Sequence, residues 1–158
     1  VAYNKKFPQT NEKLAKALAI SHLVTAYVKN YTGRLSAVCG CGVAASTGAT
    51  AAIAWLMSGD IKKVEGAIEH IVASLSGMIC DGAKPGCALK IATSVNAAAL
   101  AAQLALNGTG ATKRDGIVTD DLEETLRNLG KLGNEGMSEA NDEILKMLLD
   151  KKTTKMCG

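Results

Sequence analysis

Two long stretches of this sequence carry no charged residue, 35–59 and 91–112. Each passes the ~20 residues that a bilayer-spanning helix needs, so the chain must either cross a membrane or bury them. Neither has the Leu/Ile-rich make-up of a lipid-facing segment. The first contains Ser36, Ser46, Thr47 and Thr50 among several glycines, and the second contains Thr93, Ser94, Asn96, Gln103 and Asn107. Both read as buried helices of a soluble protein. The chain holds 25 Ala and 16 Gly in 158 residues, whereas aromatics make up only 3%. Side chains this small fill a core only where backbones approach closely. Packed helices allow that, while strands favour β-branched and aromatic residues. The expected fold class is therefore all-α, a compact multi-helix domain over residues 1–158. Its Ala/Gly-rich helices, about 43–57 and 88–106, should form the centre.

The remaining helices follow from spacing and caps. Thr10 or Asn11 caps a helix with Glu12 in its first turn and apolar residues from Leu14 to Val28, ending at Tyr31-Thr32-Gly33. Ile61, Val64, Ile68, Ile71, Val72 and Leu75 form one stripe, with Lys62, Lys63, Glu65 and Glu69 off it. Two shorter helices close the chain. Thr119 caps one that presents Leu122, Leu126 and Leu129. Ser138 caps the other, with Ile144, Leu145, Leu148 and Leu149 inward.

Residues 1–112 hold ten Lys/Arg against five Asp/Glu, and residues 113–158 hold eight against ten. The basic part has no cluster longer than a pair and few rings to stack on bases, which argues against nucleic-acid binding. Five cysteines, Cys39, Cys41, Cys80, Cys87 and Cys157, are an odd count, and no signal peptide is present. A reducing, cytoplasmic setting fits better than a secreted disulfide scaffold. The chain opens on Val1, as a fragment of something longer would.

Cys80 and Cys87 flank the loop Asp81-Gly82-Ala83-Lys84-Pro85-Gly86, while Cys41 and Cys87 both precede predicted helices. A helix N-terminus favours a thiolate and equally an anionic iron–sulfur cluster. The spacing is not the paired CxxC of a zinc ribbon, and buried free cysteines are commonly just small hydrophobes. Spacing therefore leaves both a metal site and a structural role open. Gly40-Cys41-Gly42 with Asp60 partly mimics a dinucleotide fingerprint, but no strand precedes it. His22 and His70 read as structural. Lys84 and Lys90 are either solvated or hold a negative charge near Cys87.

The run Ser76-Gly77-Met78-Ile79-Cys80-Asp81-Gly82-Ala83-Lys84-Pro85-Gly86-Cys87-Ala88-Leu89-Lys90-Ile91-Ala92-Thr93 closely resembles the serine dehydratase α-chain-like family. Thr32-Gly33-Arg34-Leu35, Cys39-Gly40-Cys41-Gly42-Val43-Ala44-Ala45 and Val95-Asn96-Ala97-Ala98-Ala99 resemble it too. The likeness is strongest to the branch of L-cysteine desulfidases and uncharacterised bacterial members. It implies a [4Fe–4S] cluster on three cysteines with one iron open to substrate. Carried onto this chain, the ligands are Cys80, Cys87 and one of the Cys39/Cys41 pair. Cys41 is chosen because it lies nearer the helix start. The implied reaction is β-elimination from a small amino acid, L-cysteine or L-serine. The resemblance also implies a missing N-terminal half that supplies part of the pocket. No general base is assigned in this chain, and a homo-oligomer is left open. In some serine dehydratases a C-terminal cysteine returns to the open iron, whereas Cys157 here reads as a frayed terminus. The competing reading is a non-catalytic helical domain whose cysteines are structural or bind zinc.

Overall fold

The structure, a computed structural model, describes the backbone of residues 2–34, 36–82 and 84–155 and the side chains of 3–34, 36–82 and 84–150. Leu35, Ala83 and Cys157, all named above, lie outside the described residues. The architecture is all-α. Its helices are α1 (Ala2–Lys6), α2 (Asn11–Thr32), α3 (Ala45–Ser58), α4 (Ile61–Leu75), α5 (Gly86–Asn107), α6 (Leu122–Lys131) and α7 (Ser138–Lys155). Two π-helical turns, Gly40–Ala44 and Leu132–Gly136, lead into α3 and extend α6. Among the described residues the only extended pairing is one antiparallel bridge, Val38 to Ile79.

The ends of the helices have local causes. Thr10 caps α2, its side chain accepting from the Lys13 amide. Asp60 caps α4 by accepting from the Lys62 amide. Left-handed glycines stop α3 and α5, Gly59 with φ 68° and Gly108 with φ 70°. Two expected caps are displaced. Asp121, not Thr119, accepts from the first turn of α6. The Thr119 hydroxyl instead donates to the Asp121 carbonyl and supports the cap from outside. Ser138 lies inside the first turn of α7 and donates to the Glu135 carbonyl. A hydroxyl that finds a carbonyl one turn back is no longer available to the amides ahead of it.

The core is made of small residues, as the composition demands. Ala51, Ala54, Ala67, Ala98, Ala101 and Ala102 are buried between Val28, Ile68, Ile71, Val72, Leu126 and Leu129. The closest approach joins α2 to α3. A Cβ on Gly48 would collide with Thr25 Oγ1 and the Ser21 carbonyl oxygen. The hydroxyls inside α3 are satisfied along the helix itself: Thr47 bonds the Val43 carbonyl at 2.8 Å and Thr50 bonds that of Ser46 at 2.8 Å. These bonds let polar side chains occupy an uncharged, buried helix.

The two uncharged helices differ in burial. The segment Gly40–Ser58 has 61% of its most apolar window buried, against 28% for Gly86–Asn107. α3 therefore runs through the centre as expected. α5 packs one face on α3 and α4 and leaves the other uncovered, so its lack of charge does not mark the middle of this fold. α7 is also less buried than its pattern suggests. Ile144 and Leu148 are half-buried, while Leu145 and Leu149 are exposed.

Ala98 is buried and its neighbour Ala99 is exposed, which yields a paired test. Ala98→Leu should cost ~1–3 kcal/mol by overpacking, whereas Ala99→Leu in this 158-residue chain should stay within about 0.5 kcal/mol, the usual range of a surface change. Urea unfolding of the two variants measures the difference; equal effects would contradict the packing described.

Candidate functional site

The cysteine-bearing segments meet through backbone hydrogen bonds. The Cys39 amide donates to the Met78 carbonyl at 2.8 Å, and the Cys80 amide donates to the Ala37 carbonyl at 2.6 Å. These two bonds bracket the Val38–Ile79 bridge. Side chains alternate across such a pairing, so Cys39 and Cys80 share one face.

The chain after Cys39 turns sharply. Cys39 Sγ accepts from the Gly42 amide at 3.2 Å, and the Ala45 amide reaches back to the Gly40 carbonyl to close the π-helical turn. Gly42 leaves room for the Met78 side chain, whose Sδ occupies the space a Cβ would take. The Gly42 carbonyl is held by two hydroxyls, Ser46 at 2.6 Å and Ser94 at 2.9 Å. Ser94 also lies 2.7 Å from the Lys90 carbonyl and shares its one proton between the two acceptors. A residue of α5 thereby anchors the turn that carries Cys41. Single π-helical turns of this kind are frequent at functional sites.

The loop from Cys80 to Cys87 is organised by Asp81, a residue that the sequence reading passed over. Asp81 pairs with Lys84 at 2.8 Å and more tightly with Lys90 of α5. Lys90 also donates to the Ile79 carbonyl at 2.8 Å. Hydrogen bonds from Lys84 and then Lys90 hold the Asp81 carboxyl well below the usual carboxylate range. Lys90 is held above the ordinary lysine value, chiefly by its hydrogen bond to Asp81. The two lysines are thus neither free nor solvated alone; they close the loop. The signal in the sequence was the Asp-x-x-Lys spacing of 81 and 84, with Lys90 one helical turn beyond the start of α5.

The expected ligands have distinct surroundings. Cys80 is half-buried and lines a cleft of about 370 Å³ with Lys29, Arg34, Ser36, Gly40 and Asn141. On the α7 side that cleft is walled by Ile144, Leu145 and Leu148. Cys87 is half-buried in the first turn of α5, its Sγ 3.5 Å from the Gly82 carbonyl. Cys41 is exposed, whereas Cys39 is buried. These four cysteines are all free thiols. Among the described residues no three His, Cys, Asp or Glu side chains are gathered as a metal-binding group. His22 is exposed, and His70 is buried beneath the loop at Gly110; neither lines the cleft. Asp60 serves as the cap of α4, which removes the dinucleotide reading of the Gly40–Gly42 turn.

Asp81 sets the pH dependence of the loop. Its carboxyl titrates lower in the folded state than in the unfolded one, so its stabilisation is present above the unfolded value of about 3.9 and is lost as pH falls below it. Asp81→Asn should lower the urea midpoint at pH 6, and the gap from the unaltered chain should narrow steadily as the pH is taken towards 2. A gap that stays constant with pH would assign the loss to packing rather than to the ion pairs.

Comparison with known proteins places this geometry in a family. The family described as serine dehydratase alpha chain matches residues 1–146. A UPF0597 protein of Clostridioides difficile is 60% identical over 150 residues, covering 95% of this chain and 35% of that protein. One from Alkaliphilus oremlandii is 56% identical over 148 residues, covering 94% of this chain and 34% of the relative. One from Desulfotalea psychrophila is 49% identical over 145 residues, covering 91% and 33%. The chain thus spans about a third of the length of these curated relatives. No solved structure matches it. With nearly the whole chain aligned, and with the paired cysteine segments falling inside the match, this protein belongs to the serine dehydratase alpha chain family.

Proposed function

We propose that this chain is the cluster-holding portion of an iron–sulfur-dependent β-elimination lyase acting on a small amino acid. L-Cysteine would yield pyruvate, ammonia and sulfide with uptake of one water, and L-serine would yield pyruvate and ammonia. The ligands proposed for a [4Fe–4S] cluster are Cys41, Cys80 and Cys87. The observation that carries this reading is the pairing of segments 37–39 and 78–80 beside a cleft that also holds Lys29 and Arg34.

The donor set suits such a group chemically. The three thiols are free of disulfides, and soft thiolates are the usual ligands of iron–sulfur clusters. Cys39 is the less suitable member of its pair, because its sulfur is buried and already accepts the Gly42 amide. The exposed Cys41 has no such engagement with Gly42 and can turn towards a bound group. When bound, the cluster supplies Lewis acidity at the β-substituent of the substrate.

The chain's own residues would perform the binding work. Lys29 and Arg34 are the cationic groups of the cleft and would receive the substrate carboxylate. Ser36 and Asn141 offer hydrogen bonds at its rim, and Ile144 and Leu148 limit its size to a small side chain. Lys90, held protonated by Asp81, would offset negative charge near Cys80. No residue of this chain is assigned as the base that removes the α-proton. A soluble, cytoplasmic enzyme follows from the same reading.

Reconstitution with iron and sulfide under anaerobic conditions tests the ligand set. Cys41→Ser, Cys80→Ser and Cys87→Ser should each lower bound iron severalfold and bleach the visible absorbance. Cys39→Ser should retain most of it. Iron retained in both Cys80→Ser and Cys87→Ser would end the cluster reading, and stoichiometric zinc in its place would favour a structural metal site. Pyruvate release from L-cysteine and L-serine by the full-length protein then identifies the substrate.

A further inference from the structure

Among the described residues the outward face of α5 is uncharged, largely apolar and unpartnered, with Asn96 and Gln103 among its polar members. Leu89 is 75% exposed, Val95 59% and Leu100 60%. Between them lie Ala92, Asn96 and Ala99, also exposed. The only charge on the 22-residue helix is Lys90, and Asp81 holds it. A helix this long measures about 33 Å, so the strip amounts to a few hundred Å², the size at which exposed apolar patches mark contact surfaces.

We infer that this face is the docking surface for the portion of the protein that lies outside this chain, the remaining length that the curated relatives carry. The inference rests on those relatives for the existence of the partner and not on iron. Two arguments favour this occupant. The relatives are roughly three times as long as the aligned region, so the bulk of each polypeptide must pack somewhere against it. A covalently linked segment meets the face at an effective concentration near millimolar, which a second copy or a separate protein does not reach. Ala92 and Ala99 permit close backbone approach, as small residues do inside this fold.

The two other occupants fit less well. A membrane surface favours helices with Lys and Arg along the polar edge, whereas the edge here has Lys90 alone, already paired. Its opposite face is buried against α3 and α4, so α5 cannot cross a bilayer by itself. A second copy would need the strip to complement itself and lacks the effective concentration of a linked segment.

Hydroxyl-radical footprinting of the full-length protein, without added iron, reads the face directly. Oxidation of Leu89, Val95 and Leu100 is compared between native and urea-unfolded protein. A docked face should show at least tenfold protection in a species that sedimentation identifies as a monomer. A benzoylphenylalanine photocrosslinker at position 100 should then join to a peptide outside this chain. About twofold protection, the level expected from the exposures above, would overturn the proposal. Protection that disappears on dilution would assign the face to a second copy. Protection that requires vesicles of phosphatidylethanolamine and phosphatidylglycerol would assign it to a membrane. A protein that binds no iron yet protects the face keeps this inference while losing the proposed chemistry; the reverse result does the opposite.

Discussion

The contact on which the arrangement depends is the approach of α3 to α2 at Gly48. With no side chain at this position, the backbone of α3 sits directly on Thr25 and the Ser21 carbonyl. That distance sets how deep α3 lies, and α3 in turn is what α4 and α5 pack against. A core of alanines has little volume to fill a gap if the helices separate, so loss of one close approach is not recovered by repacking. The same logic recurs at Gly130, where a Cβ would stand 2.6 Å from the Tyr31 carbonyl oxygen and would push α6 off the end of α2. No aromatic residue among those described is fully buried, although Trp55 and Tyr31 pack partly buried against the core. Tyr27 and Tyr31 pair edge-on at 5.5 Å on the flank of α2, and Tyr3 and Phe7 pair within the N-terminal segment.

The chemistry-bearing segments inherit their placement from this packing. α3 carries the Gly40–Ala44 turn at its N-terminal end, and α5 reaches the same turn through Ser94. The residues after α4 are led alongside Ala37–Cys39 by only two backbone bonds. Such a short pairing would be weak alone. It is supported on one side by Met78 filling the space above Gly42 and on the other by Lys90 gripping Ile79 and Asp81. Cys80 therefore sits on a strut fixed at both ends, while Cys87 begins a helix whose first turn is held by the same Asp81.

Much of this was legible from residue spacing. The inward faces of α2 and α4, the glycine stops of α3 and α5, and the small-residue core follow from local rules that depend on neighbours a few positions apart, although Leu18, Tyr27 and Ile61, read as members of those stripes, are exposed. What spacing could not reveal is tertiary. Val38 and Ile79 have no strand pattern around them, so their bridge leaves no periodic trace. Asp81 is one acidic residue in a loop, and its hold on Lys90 appears only once α5 folds back beside it. The difference between Cys39 and Cys41 likewise depends on which of two adjacent sulfurs the Gly42 amide turns towards. The displaced caps at Thr119 and Ser138 have a simpler cause: a hydroxyl near a helix start has both amides and carbonyls within reach, and sequence alone does not rank them.

The misplaced centre of α5 has a different origin. Freedom from charge reports only that a helix face avoids water somewhere in the functional protein, and does not say which surface covers it. For α3 the cover is supplied by α2, α4 and α5, all within this chain. For α5 half of the cover is α3 and α4, while the outer half, from Leu89 to Leu100, has none here. The same imbalance marks α7, where Leu145 and Met147 are more than half exposed although Ile144 and Leu148 close the cleft. Both under-covered helices border the cysteine region, α5 through Cys87 and α7 through the cleft wall beside Cys80. Residues that read as core in the sequence and as surface in the structure thus lie on the two helices that each touch the candidate site, in a family whose relatives are three times longer.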